Sequence, residues 1–303
     1  MGFFHSFFHP VPDTGFSPLI RRVRTYGRLI KFSHTLFALP FALAAVLLAH
    51  RSHSVTWPVL FWILVAMASA RSAAMGFNRY ADFEFDRRNP RTSGRPLVQG
   101  QISKNAVLVF IAASSLIFLL SAAALNPLCF VLSGPVLVVL FFYSYTKRFT
   151  AYSHLILGFA IGLAPAGAWI AATGSLDPRI CLLSFALMTY IAGFDILYAC
   201  QDVEFDRQEK LHSLPASRGI RKALAISAML HVGTFLLLVA VHVAFHLGPL
   251  YLFFTCIISA LLLVEHLLVR PDNLANVNVA FFHVNSAISI LLFLGVLADT
   301  WFS

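Results

Sequence analysis

The sequence predicts an all-α integral membrane protein, a single bundle of about nine transmembrane helices with its N-terminus in the cytoplasm. Three observations predict it. Hydrophobic residues make up 59% of the 303 positions and charged residues 12%, whereas a soluble domain needs about a quarter charged to keep a solvated face. Apolar stretches of about 20 residues recur along the chain, each long enough to cross a bilayer as a helix. Basic residues gather in alternate loops, as the positive-inside rule requires.

In chain order, residues 1–28 read as an N-terminal cytoplasmic tail and 29–303 as one nine-helix domain. The spans fall near 29–49, 57–78, 104–124, 127–145, 152–173, 180–200, 222–246, 248–268 and 277–299. Lipid forbids unpaired backbone, which leaves helices or a closed barrel, and these runs are too long for barrel strands. Arg21, Arg22, Arg24, Arg28 and Lys31 precede or open the first span. Arg87, Arg88, Arg91, Arg95 and Lys104 lie between the second and third, Lys147 and Arg148 follow the fourth, and Arg207, Lys210, Arg218, Arg221 and Lys222 follow the sixth. The opposite side receives only Arg51 and Arg179. The net charge of +9 therefore reflects topology and a phosphate site rather than nucleic-acid binding. Cys129, Cys181, Cys200 and Cys256 lie in or near apolar spans without metal-ligand spacing and read as small core hydrophobes.

The strongest local signal is an internal repeat. Asp82-Phe-Glu-Phe-Asp-Arg87 and Asp202-Val-Glu-Phe-Asp-Arg207 agree at five of six positions, and each ends an apolar span on the cytoplasmic side. Duplicated halves with a binding site between them are common in membrane folds. Of only 13 acidic residues, eight are Asp82, Glu84, Asp86, Asp195, Asp202, Glu204, Asp206 and Glu209. Packing carboxylates this closely at a membrane edge costs repulsion and desolvation, so a cation should compensate.

Residues four apart share a helix face, so Asp82 and Asp86 point one way, as do Asp202 and Asp206. Asn78 extends the first face by a turn, and Asp195 lies two turns before Asp202. Two all-oxygen stripes suit Mg2+, whose shell phosphate oxygens complete. Glu84, Glu204 and Glu209 read instead as solvated charges, Glu84 and Glu204 on a different helix face. The loop Arg87–Leu97, the pair Lys147-Arg148 and Lys210 supply cations for a diphosphate, although each also fits ordinary positive-inside charge. Thirty Phe and a long apolar interior are consistent with a lipid-soluble chain behind the diphosphate, and with aromatic faces near an allylic cation.

The stretches Asn78-x3-Asp82-x3-Asp86 and Asp195-x6-Asp202-x3-Asp206 together resemble the UbiA family of intramembrane prenyltransferases, over essentially all of residues 24–299. Arg95-Pro96-Leu97 with Gly100, and Lys147-Arg148 after a Tyr-rich turn, are similar to family positions. Segments 31–40, 193–206 and 280–285 resemble a 4-hydroxybenzoate polyprenyltransferase-like branch, part of which serves menaquinone rather than ubiquinone biosynthesis. Leu211-His212-Ser213 departs from the ubiquinone enzymes.

The resemblance implies transfer of a polyprenyl group from polyprenyl diphosphate to an aromatic acid acceptor. It implies that Asn78, Asp82, Asp86, Asp202 and Asp206 hold Mg2+, that Arg95, Lys147 and Lys210 add positive charge, and that Asp195 orients the acceptor or takes a proton. Asp82 and Asp202 belong to the catalytic set through the metal. Among the histidines in or beside spans, His34 is the candidate contact to the acceptor carboxylate or diphosphate; His231, His242, His246, His266 and His283, with Asn276, Asn278 and Asn285, read as interhelical glue. Arg71 should pair with an acid inside the bundle. The second class left open is a transporter using the carboxylates for cation or proton coupling; the acids at one edge and an odd span number argue against it.

Overall fold

The computed structural model describes residues 18–31, 35, 37–274 and 277–302. In chain order the helices are α1 (Pro18–Leu29), α2 (Leu39–His50), α3 (Trp57–Ala81), α4 (Phe83–Arg88), α5 (Lys104–Leu125), α6 (Pro127–Thr146), α7 (Ser153–Thr173), α8 (Ile180–Ala199), α9 (Val203–Gln208), α10 (Leu214–Arg218), α11 (Ile220–Ala244), α12 (Pro249–Leu268), α13 (Val277–Val279) and α14 (Asn285–Phe302). A π-helical turn, Ala280–Val284, joins the last two. No strand occurs among the described residues, only an isolated bridge between Arg270 and Asn273. The chain is an all-α membrane protein.

Among the described residues, eight helices are long and apolar enough to cross a bilayer. The ninth expected span, 29–49, is different: among the described residues beyond Leu29, Leu39–His50 is the one α-helix there. Lys31 takes a left-handed φ of 46°, which ends α1. Pro40 then sits in the first turn of α2, where its missing N–H costs nothing. A helix of 12 residues rises only about 18 Å, short of the ~30 Å apolar core. It is buried between α7 and α14 instead.

The central element is α8, which packs on α7 along one face and on α11 along another. Both contacts depend on glycine. A Cβ on Gly158 would lie 2.3 Å from the Met188 carbonyl oxygen, and one on Gly162 2.9 Å from that of Ser184. This small-x-x-x-small stripe lets α7 and α8 approach closely, as lipid-embedded helices require in the absence of a hydrophobic driving force. On the other face, Gly193 makes room for the His231 ring of α11. Pro165 interrupts α7, and the Ser184 hydroxyl of α8 accepts the Ala166 N–H at 3.1 Å, compensating a backbone donor near the break.

Candidate active site

The sequence repeat is also a repeat of backbone conformation. Asp82 (φ −94°, ψ 9°) closes α3 and opens the six-residue α4. Asp202 (φ −104°, ψ 7°) ends the 3-10 turn Cys200–Asp202 that follows α8 and opens the six-residue α9. Both residues occupy the sparsely populated bridge region, where active-site residues are often found. A short acidic helix follows each break. Asp86, Asp202 and Asp206 are buried.

A cavity of about 650 Å³ lies between the two breaks. Asn78, Asp82, Asp86, Asp195, Asp202 and Asp206 line it together with Arg91, Arg95, Lys147 and Arg148. Its deeper wall is apolar, with Phe118, Val136, Val139, Leu140, Leu157 and Ile161. A smaller basic pocket adjoins it, lined by Arg28, Lys31, Arg91 and Arg95.

Arginines hold the carboxylates. Both oxygens of Asp86 accept from Arg95 Nη1. Arg91 reaches across to the other repeat: its Nε donates to Asp202 Oδ1 at 2.8 Å and its Nη2 to Asp202 Oδ2. Arg91 Nη1 donates to the Tyr198 hydroxyl at 2.7 Å, and its guanidinium stacks over the Tyr198 ring. Asn89 shapes this loop by accepting the Arg91 N–H at 2.9 Å and donates its own amide to Asp202 at 3.1 Å. Asp82 accepts from Asn78 Nδ2 at 2.9 Å, with Arg148 3.7 Å away. Burial and the neighbouring Asp86 raise the Asp82 carboxyl above its ordinary value.

Lys147, at the end of α6, faces Asp206, Asp195, Asp202 and Asp82. Burial works to lower its ammonium, but these carboxylates outweigh it and hold the pKa raised. Lys31 has the opposite balance. Burial and then Arg79, Arg95 and Arg91 lower it to about 7. Its Nζ donates to the Tyr198 hydroxyl at 3.4 Å.

Asp195, on α8, meets a partner that the sequence reading did not single out: Nδ1 of buried His154 lies 2.6 Å from its Oδ2. The spacing His154-x3-Gly158-x3-Gly162 carried the signal, since it sets the histidine on the face that packs against α8.

Two expectations change. Lys210 is exposed and does not line the cavity. It occupies the left-handed position (φ 55°) of a Schellman turn ending α9, with Leu211 N donating to Asp206 O at 2.7 Å, and this turn carries the side chain outward. Arg71 pairs with no acid among the described residues; its Nη2 donates to the Lys31 and Ile30 carbonyls at 3.0 and 3.3 Å, oxygens left free where α1 ends. His34 lies outside the described residues. Glu84 and Glu209 make surface pairs with Arg87 and Arg88, and Glu204 is exposed.

Among the described residues, no three His, Cys, Asp or Glu side chains converge closely enough to form a ready metal centre. The donor set is nevertheless all oxygen, as Mg2+ prefers. Asp206 is 2% exposed, and its Oδ2 has no hydrogen-bond partner among the described residues. A buried anionic oxygen left in this way fits a cation as its missing partner.

The profile of the UbiA prenyltransferase family matches residues 38–287. The chain is 33% identical over 252 residues to the 4-hydroxybenzoate octaprenyltransferase of Methylobacillus flagellatus, covering 81% of this chain and 83% of that protein. The apo structure of a UbiA homolog from Aeropyrum pernix K1 has a TM-score of 0.80 at 32% identity, covering 88% of this chain and 98% of that one. A UbiA homolog from Archaeoglobus fulgidus, solved bound to GPP and Mg2+, shares the fold with a TM-score of 0.69 at 21% identity, covering 90% and 99%.

Proposed function

The chain belongs to the UbiA prenyltransferase family, and we propose that it transfers a polyprenyl group from polyprenyl diphosphate to a ring carbon of a 4-hydroxybenzoate-like aromatic acid, with Mg2+ as cofactor. The observation that carries this reading is the shared cavity: two matched acidic breaks lined with cations that include Arg91, Arg95, Lys147 and Arg148, and an apolar wall behind them. The names of the relatives favour 4-hydroxybenzoate as acceptor and a long prenyl chain, and the Mg2+ bound to a fold neighbour favours that metal.

In this reading Asn78, Asp82, Asp86, Asp202 and Asp206 hold the metal, which as a Lewis acid supplies charge stabilisation to the departing diphosphate. Arg91, Arg95, Lys147 and Arg148 bind the diphosphate oxygens and steady the charge that develops as the allylic C–O bond breaks. The electron pair leaves with the diphosphate. The aromatic ring attacks the allylic carbon, a C–C bond forms, and the ring proton is lost, with Asp195 as its acceptor or as the group orienting the ring. The apolar wall keeps water from the allylic centre. The positive-inside pattern supports a cytoplasm-facing site, in bacteria at the inner membrane.

The test uses membranes containing the full chain, labelled polyprenyl diphosphate, Mg2+, and 4-hydroxybenzoate or a menaquinone-precursor aromatic acid. Labelled prenyl-aromatic product that disappears in Asp82→Asn and Asp202→Asn is the expected result. No product with any acceptor, together with a solute or proton flux lost in the same variants, overturns it in favour of transport.

A further inference from the structure

His154 is fully buried in the first turn of α7, and both ring nitrogens are engaged. The backbone N–H of Leu214 donates to Nε2 at 3.3 Å. A nitrogen that accepts carries no proton, so in the neutral ring the proton sits on Nδ1 and is donated to Asp195 Oδ2, 2.6 Å away. The tautomer is therefore set by the first turn of α10, which follows the second acidic segment. The Gly158 and Gly162 stripe, in register with His154, brings α7 near enough to α8 for this bond.

Asp195 has a competing cation close by. Lys147 interacts with its carboxylate as it does with Asp82, Asp202 and Asp206. A free Asp195 side chain would be drawn toward that cluster and toward any metal held there. The histidine N–H instead ties Oδ2 to the α7 side. The other oxygen, Oδ1, makes no hydrogen bond among the described residues, and the residue lines the cavity with its side chain 20% exposed.

We propose that His154 is a positioning residue that withholds Asp195 from the metal–diphosphate cluster and holds Oδ1 toward the aromatic acceptor, where it accepts a hydrogen bond from the acceptor hydroxyl. This rests on the prenyl-transfer reading above. It assigns the two ends of the acidic stripe different substrates: Asp202 and Asp206 serve the diphosphate, and Asp195, with His154 behind it, serves the acceptor.

The experiment compares full-length wild type, His154→Leu, His154→Asn, His154→Gln, Asp195→Asn and His154→Leu/Asp195→Asn in steady-state prenyl transfer, varying each substrate separately. The Asn amide reaches the Nδ1 position and the Gln amide does not. Expected are a roughly 10- to 100-fold fall in kcat/KM for the acceptor in His154→Leu and His154→Gln, with the diphosphate KM within about twofold of wild type. His154→Asn should recover most of the loss, and the double variant should be no worse than Asp195→Asn alone, because both changes remove one coupled unit. Multiplying losses in the double variant, or His154→Asn as poor as His154→Gln, overturns the proposal while leaving the functional reading intact. If His154→Leu does not fold, the Asn and Gln variants decide by the same contrast. Wild type that prenylates no aromatic acid overturns the functional reading and the proposal with it.

Discussion

Arg91 and Asp202 lie 111 residues apart in sequence and form a two-pronged ion pair, Nε to Oδ1 at 2.8 Å and Nη2 to Oδ2. The loop after the first acidic segment thus clasps the second. In the proposed complex the Arg91 guanidinium would exchange this carboxylate for diphosphate oxygens, leaving Asp202 for the metal. Arg91→Ala should raise the KM for polyprenyl diphosphate by roughly 10- to 100-fold, since charge-assisted hydrogen bonds contribute about 1.5–3 kcal/mol. Arg91→Lys should recover little, because a point charge cannot replace a planar fork. An unchanged diphosphate KM in both variants would remove Arg91 from the site.

Lys31 should make diphosphate capture pH-dependent. Burial and the nearby Arg79, Arg95 and Arg91 depress its ammonium to about 7, against a smaller opposing effect of Asp202. It is charged below that pH and neutral above it, and only the charged form attracts phosphate. The kcat/KM for the diphosphate, which reports groups of the free enzyme, should fall as pH rises through about 7. In Lys31→Met this limb should vanish, leaving the low value throughout. A limb that persists in Lys31→Met belongs to another group.

The paired prediction for Lys147 and Lys210 shows what the sequence did and did not carry. Both are candidate phosphate ligands in the sequence, with the family resemblance favouring Lys147 over Lys210. The structure puts Lys147 in the cavity wall and Lys210 on an exposed left-handed turn. Lys147→Ala should cost about tenfold or more in diphosphate KM, and Lys210→Ala less than about twofold; equal effects would argue against the cavity as the diphosphate site. The long spans and the repeat were legible because hydropathy and helical spacing are local properties of the chain. The interruption before Pro40, the Arg91–Asp202 clasp and the His154–Asp195 bond depend on how helices pack, which a local pattern does not specify. His154 was overlooked because a single histidine in an apolar span has no periodic signal of its own. Only the two glycines that follow it at steps of four indicate its face.

Gly158 controls that packing. Its absent Cβ would stand 2.3 Å from a main-chain oxygen of α8, and backbone cannot give way as a flexible side chain can. Gly158→Ala should lower stability by about 1–3 kcal/mol, seen as a lower thermal midpoint in detergent, and should weaken activity toward the acceptor as His154 is pushed from Asp195. Gly233→Ala on α11, where nothing lies within 4 Å of the new atom, should be neutral or stabilising by up to about 1 kcal/mol through helix propensity. Equal midpoints for the two variants would mean that α7 and α8 are not as closely packed as described.

Asp206 offers a readout of metal binding that does not depend on turnover. Its Oδ2 is buried without a hydrogen-bond partner among the described residues, and leaving such an oxygen uncompensated is costly. A ligand that binds only the folded state stabilises it by mass action. Chelator-treated protein given Mg2+ and a non-reacting diphosphate analogue should therefore show a raised thermal midpoint. Asp206→Asn replaces the anionic oxygens with a neutral amide that is a weaker Mg2+ ligand. The carboxylate it removes faces Lys147, so the metal-free midpoint of each protein serves as its own reference, and the variant's response to Mg2+ should shift to roughly tenfold higher concentration or disappear. A variant that loses stability without metal but keeps the full Mg2+ response would show that Asp206 is a structural acid, and that the metal, if one binds, is held elsewhere.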